Sequence, residues 1–237
     1  ENDENEKLSF IEEISVKITF KMIKTSFFDK RLQGVKALTE HINNNVTNQE
    51  AENRLLELII KNEIVKEIFG ANYHSQIISK SNEILSFLAK NKKLTEDDIK
   101  LIWDCSQRGD LEAKLTILKL LSELAKDLDE NYINMLLNNI AYNPSSKANQ
   151  NEIDFIYNLS IQGNNQENKI KCFEYLYHSI LKINDLSSIS SINNNPIMEK
   201  ILSLIDTDDN CFAKLLSICE EDLKKNNSTL IIFSIIE

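Results

Sequence analysis

The chain has 237 residues and a formal net charge of −10, with 42% apolar and 27% charged residues. That is long enough for one large domain or a row of small units. The acidic balance argues against sequence-independent nucleic-acid binding, which needs a basic footprint, and against anionic membrane surfaces; no apolar run approaches the roughly 18 residues of a membrane span.

Four glycines and two prolines leave little means of making tight hairpins, so the expected fold is all-α. Glu1 to Lys7 read as an acidic N-terminal tail. The first helical stripe follows with Ile11, Ile14, Ile18 and Met22 on one face. Phe28, Leu32, Val35 and Ile42 form the next. Leu55, Leu58 and Ile59 come after it, then Ile64, Ile68 and Phe69, then Ile77, Ile78, Ile84, Leu85 and Leu88. Thr95 before Glu96, Asp97 and Asp98 predicts a capping box with an Asp in the third place. Ile99, Ile102 and Trp103 continue that helix, and Asp110 is placed to cap the one after it.

From Leu111 to Leu128 the apolar residues make two stripes, Leu111, Leu115 and Leu118, and Ile117, Leu120, Leu121 and Leu124. A helix apolar over most of its circumference is expected to be covered on two sides, as in a stacked array. Later stripes are Tyr132, Ile133, Leu136, Leu137 and Ile140; Ile153, Ile156 and Tyr157; Ile170, Phe173, Tyr177, Ile180 and Leu181; Ile197, Ile201, Leu204 and Ile205; and Phe212, Leu215, Cys219 and Leu223. Asp129 and Asn210 are further cap candidates. The Asn-rich stretches HINNN, YNPSSKANQN, IQGNNQEN and SINNNP read as connectors.

About a dozen helices are expected, with successive pairs recurring at roughly 35 to 45 residues, the range of armadillo and HEAT repeats. The predicted architecture is an armadillo- or HEAT-like α-solenoid, with a compact helical bundle as the alternative. Residues 1–237 read as a single repeat region. There is no initiator Met, and the last residues, STLIIFSIIE, stop inside an apolar segment, so the region is expected to be a piece of a longer polypeptide.

Chemistry is sparse. Cys105, Cys172, Cys211 and Cys219 form no CxxC, and reduced thiols in the cytoplasm or nucleus are the simplest reading. Cys172 and His178, six residues apart on one helix, project about 120° from each other and cannot pair locally. His41, His74 and His178 lie far apart and outside metal-binding spacings. Gly34, Gly70, Gly109 and Gly163 are isolated, so there is no phosphate-binding loop. The acidic clusters read as a helix start and a solvated face. No catalytic residue, metal or cofactor is expected. Trp103 could anchor a partner, but its spacing from Ile99 favours the core.

Four stretches carry a resemblance. SFFDKRLQGVKAL, from Ser26, is similar to a segment in the long non-catalytic region of the giant fat-facets-type ubiquitin-specific proteases. NEIVKEIFGANYHSQIISKSNEILSFLA, from Asn62, is similar to the next part, and KKLTEDDIKLIWDCSQRGDLEA, from Lys92, to the most distinctive part. ILKLLSELAKDL resembles the helix that follows. The likeness runs in order from Thr25 to Leu128 and more weakly to Leu186. The matching motif positions are Phe28, Asp29, Lys30, Arg31, Leu32, Trp103, Gln107 and Glu112. Relatives often carry a His where this chain has Leu111. The Cys and His boxes of the protease domain are missing from these residues.

The resemblance implies a non-catalytic, protein-binding scaffold segment of a large deubiquitinase, whose parent protein would hydrolyse the isopeptide bond after ubiquitin's C-terminal glycine. Substrates, regulators or the parent's own protease domain are the implied partners, with ubiquitin reached through the parent. A helical-repeat adaptor for trafficking or transport, with no attached enzyme, is the rival. The resemblance also implies roles for the SFFDKR stretch. Phe28, Leu32 and Val35 would be buried, and Gly34 would admit a neighbouring helix at a cost of roughly 1 kcal/mol in helix propensity. Arg31 would tie one repeat to the next through a carboxylate or a carbonyl end rather than hold a ligand.

Overall fold

The computed structural model describes residues 2–45, 49–141, 150–162, 165–181 and 195–224, with side chains from residue 13 onward except 45, 141, 181, 219, 222 and 223. The expectations for Ile11, Leu181, Cys219 and Leu223 therefore lie outside the described side chains. Thirteen helices and no strand occur among the described residues. The chain divides into two compact units, Glu1–Leu128 and Asp129–Glu237.

The first unit holds α1 (Asn2–Ile23), α2 (Phe28–Asn45), α3 (Gln49–Lys61), α4 (Ile64–Phe69), α5 (Ser75–Ile78), α6 (Asn82–Lys90), α7 (Glu96–Arg108) and α8 (Leu111–Leu124). They form two rows. One runs α1, α4, α7; the other runs from α2 through α5 and α6 to α8. The α1–α2 and α7–α8 pairs close the rows against each other, and α3 packs on α2. Residues 2–7 of the stretch read as an acidic tail are the opening turns of α1, and most of HINNN is the last turn of α2 rather than a connector.

The second unit holds α9 (Glu130–Ala141), α10 (Gln150–Gln162), α11 (Gln166–Leu181), α12 (Pro196–Thr207) and α13 (Asp209–Lys224). Helices α9, α11 and α13 form a row, with α10 against α9 and α11, and α12 against α11 and α13. From Glu130 to Gln166 is 36 residues and from Gln166 to Asp209 is 43, so the row repeats at the interval expected of paired helices.

Each helix starts and stops for local reasons. Thr95 and Asp98 form the reciprocal capping box of α7. The Asp110 carboxylate accepts from the Ala113 amide at 2.8 Å and caps α8. Asn195 caps α12, with Pro196 in its first turn. At α13 the cap is Asp208, which accepts from the Asn210 amide at 3.0 Å; Asn210 itself is already helical. With so few glycines, Glu63 and Lys92 take the left-handed turns after α3 and α6, at φ 52° and 53°.

The core follows the helical stripes, with three corrections. In α1 the buried face is Val16, Thr19, Phe20 and Ile23, while Ile14 and Ile18 are exposed. In α8, Leu111 and Leu115 are exposed and Leu118 buried, so the first stripe is not covered along its length. In α13, Cys211 and Leu215 point inward and Phe212 outward. In α1 and α13 two faces were apolar enough to compete. The face that won in α1 buries Phe20, and full burial of such a side chain is worth about 1.5–3 kcal/mol.

Candidate interaction surface

Helix α2 is seated by one buried cation. Arg31 is only 8% exposed. Its guanidinium donates to the Glu67 carbonyl at 2.7 Å and to the Asn72 carbonyl, at the C-terminal end of α4 and in the connector beyond it. Helix ends leave carbonyls without intrahelical partners, and a planar fork donor satisfies two at once. Burial lowers the Arg31 pKa, opposed by the nearby Glu67 charge. Of the two partners the SFFDKR reading left open, a carboxylate or a carbonyl end, the hydrogen bonds go to carbonyls.

Three residues on, Gly34 lies against the end of α1. A Cβ there would sit 2.9 Å from both Cγ1 and the backbone nitrogen of Ile23 and 3.0 Å from Cβ of Met22. Glycine is what lets α1 and α2 meet at this depth. Val35, Leu38 and Ile42 are buried, and Phe28 and Leu32 are half-buried.

The connector after α4 then joins the motif stretches. The Phe28 ring lies against the His74 ring with centroids 4.3 Å apart. His74 Nδ1 accepts from the Gln76 amide at 3.3 Å and caps α5. Next to it, the Tyr73 hydroxyl donates to the Arg108 carbonyl at 3.4 Å, at the C-terminal end of α7. A Cβ on Gly109 would stand 3.6 Å from Cε2 of Tyr73. The structure thus brings the SFFDKR and CSQRGD segments to one connector. Asp29, Lys30, Gln107 and Glu112 are exposed. Trp103 is buried, and its carbonyl accepts from Ser106 Oγ at 2.6 Å, so it packs in the core. Asn72 and Tyr73 were not singled out by the sequence reading.

The Arg31 tie is one of a series. Lys24 donates to Asn62, Asn91 to Glu52 and Asn82 to Glu123 in the first unit. In the second, Tyr157 bonds Ser203, Gln166 donates to Asp208 and Lys171 to Asn134. These partners, with Arg31 and Tyr73, lie 35 to 46 positions apart. Their spacing carries the repeat that the sequence is too degenerate to align.

Among the described residues no catalytic geometry emerges at the thiols. Cys105, Cys172 and Cys211 are free and buried. Burial pushes Cys172 up to about 12 and Cys105 and Cys211 up to about 11, the reverse of an activated nucleophile. Among the described residues no group of three or more His, Cys, Asp or Glu could hold a metal ion, and no helix is long and apolar enough to cross a membrane.

Rows of paired helices tied at one interval define an armadillo-type α-solenoid repeat, a class built for binding surfaces. The chain matches the UBP24/USP9X/USP9Y ARM repeat family over residues 9–234, and it belongs to that family. It is 32% identical to the ubiquitin carboxyl-terminal hydrolase puf of Drosophila melanogaster over 120 residues, 47% of this chain and 3% of that protein. It is 31% identical to ubiquitin carboxyl-terminal hydrolase 34 of Homo sapiens over 148 residues, 57% of this chain and 4% of that protein. The Mus musculus counterpart is 31% identical over 135 residues, 52% of this chain and 4% of that protein. The chain thus spans a few per cent of the length of these relatives.

Proposed function

We propose that this chain is a non-catalytic, protein-binding scaffold segment of a large ubiquitin-specific cysteine protease. The observation that carries the reading is the family match over residues 9–234. Its parent would act on ubiquitin conjugates by a Cys–His machinery outside these residues, and the repeat would bring substrates, regulators or the protease domain to it. Buried, raised thiols support a binding role over a catalytic one. Cytoplasm, or nucleus, suits the free cysteines.

The purified chain should leave a fluorogenic ubiquitin substrate intact while capturing partner proteins when immobilised. Cleavage of that substrate, abolished by alkylating the chain's own cysteines, would overturn the reading. So would capture no greater than that of an unrelated acidic helical protein.

A further inference from the structure

We infer that the exposed face of α13 at Phe212 and Leu216 is the seat of this chain's own residues 228–237, which lie outside the described residues. The inference goes beyond the scaffold reading and does not rest on it. Phe212 and Leu216, one turn apart, are each 47% exposed. A near-copy of their surroundings sits one repeat earlier. Cys172, Phe173, Leu176 and Tyr177 of α11 recur 39 positions on as Cys211, Phe212, Leu215 and Leu216 of α13. In α11 all four are buried; in α13 only Cys211 and Leu215 are. The difference lies in the neighbours. Helix α11 packs on α9 and α10 before it and on α12 and α13 after it, whereas α13 packs back on α11 and α12. Lys214 reaches Glu174 of α11 at 2.7 Å, so the Cys211 and Leu215 side looks back along the row and Phe212 and Leu216 turn away from it. The interface that runs through α11 stops at these two side chains.

The chain itself names the occupant. Only Lys225, Asn226 and Asn227 separate the end of α13 from STLIIFSIIE. A connector this short folds the next element back on the helix it leaves. Ten residues in helical form span about 15 Å, against about 12 Å along α13 from Lys224 to Leu216. Ser228 and Thr229 are residue types that cap a helix, and Leu230, Ile231, Ile232, Phe233, Ile235 and Ile236 leave such a segment apolar on nearly every side. A segment of that kind needs cover on more than one side. The interval of the row agrees. From Glu130 to Gln150 is 20 residues and from Gln166 to Pro196 is 30, so the flanking element after Asp209 falls due at about 229–239.

The test is thiol labelling of the full chain with N-ethylmaleimide at neutral pH, in a Cys219→Ser background, read by peptide mass spectrometry. Cys105, Cys172 and Cys211 are buried and serve as the unreactive reference. Leu216→Cys should label at least about tenfold more slowly than Ser217→Cys, whose position is exposed on another side of α13. Adding Ile232→Asp and Ile236→Asp should bring Leu216→Cys up to the Ser217→Cys rate, and Phe233→Asp alone should bring it part of the way. Circular dichroism checks that each variant keeps the helical signal. Labelling of Leu216→Cys at the control rate without the aspartates overturns the proposal, and so does protection that the aspartates leave intact. Protection that fades on dilution assigns the face to a second copy of the chain and overturns it as well. Capture of partners by the immobilised chain is a separate readout, so none of these outcomes touches the scaffold reading.

Discussion

Arg31 and Glu67 are 36 positions apart in sequence, and a guanidinium nitrogen of the first lies 2.7 Å from the backbone oxygen of the second. A single side chain thereby joins the start of one helix pair to the end of the next element in its neighbour. Arg31→Ala should destabilise the first unit by about 2–4 kcal/mol, because two carbonyls lose charged donors and one end stays buried. Arg31→Lys should recover only part of this, since an ammonium lacks the planar fork. Urea denaturation followed by circular dichroism measures both; an Arg31→Ala midpoint equal to the unaltered chain's would remove the tie from the account.

Gly34 gives a second stability test. Alanine normally gains about 1 kcal/mol over glycine inside a helix. Here its methyl would meet the Ile23 backbone nitrogen at 2.9 Å, which has no rotamer by which to yield. Gly34→Ala should therefore cost about 1–2 kcal/mol net, and hydrogen exchange should quicken along α1 and α2. A stabilised Gly34→Ala would mean that the contact relaxes.

The cysteines predict a pH response. Cys105, Cys172 and Cys211 are pushed up by burial to about 11, 12 and 11. A folded value above the unfolded one means that the unfolded chain releases protons first. Stability should be full below the ordinary thiol range and fall as pH climbs from about 9 to 11. At pH 8 these thiols should resist a disulfide reagent in the folded protein and react in urea. Prompt labelling of Cys172 without denaturant would contradict its burial.

Asp208 runs the other way. Burial works to raise its carboxyl, but hydrogen bonds from Gln166 and from the Asn210 and Cys211 backbone outweigh that and lower it. Its contribution is present above the unfolded value and lost as pH falls through the folded one. Asp208→Ala should cost about 1–2 kcal/mol at pH 7, through the lost cap of α13 and the lost Gln166 bond. The gap from the unaltered chain should narrow as pH falls through and below the ordinary carboxylate range. A gap unchanged across that range would make the loss purely one of shape.

Much of this was legible from period alone. Val35, Ile42, Ile99, Ile102 and Trp103 are buried where a 3.6-residue rhythm puts them. Thr95 and Asp110 cap the helices they precede, because capping is a local hydrogen bond between near neighbours. Ile14, Ile18, Leu111 and Phe212 were misplaced, since facing depends on which neighbour a helix meets. Period cannot tell two apolar faces apart. At the candidate surface Arg31 and Gly34 were readable as a tie and a dent, but their partners were not. Asn72, Tyr73 and His74 arrive from another helix pair, and only packing brings them to α2.

Fastenings spaced one interval apart make each unit behave like a strip of press studs under tension. Each stud holds its own neighbour, so load passes along the row one joint at a time. The stretch between the partners of the Arg31–Asn72 joint is 41 residues, and it comes free only when the helices packed along it unfold with the joint. Fully extended at about 3.4 Å per residue, that stretch would span at most roughly 140 Å, less the distance already between its folded ends. Such a strip yields in instalments, one segment paying out while the rest of the row stays packed.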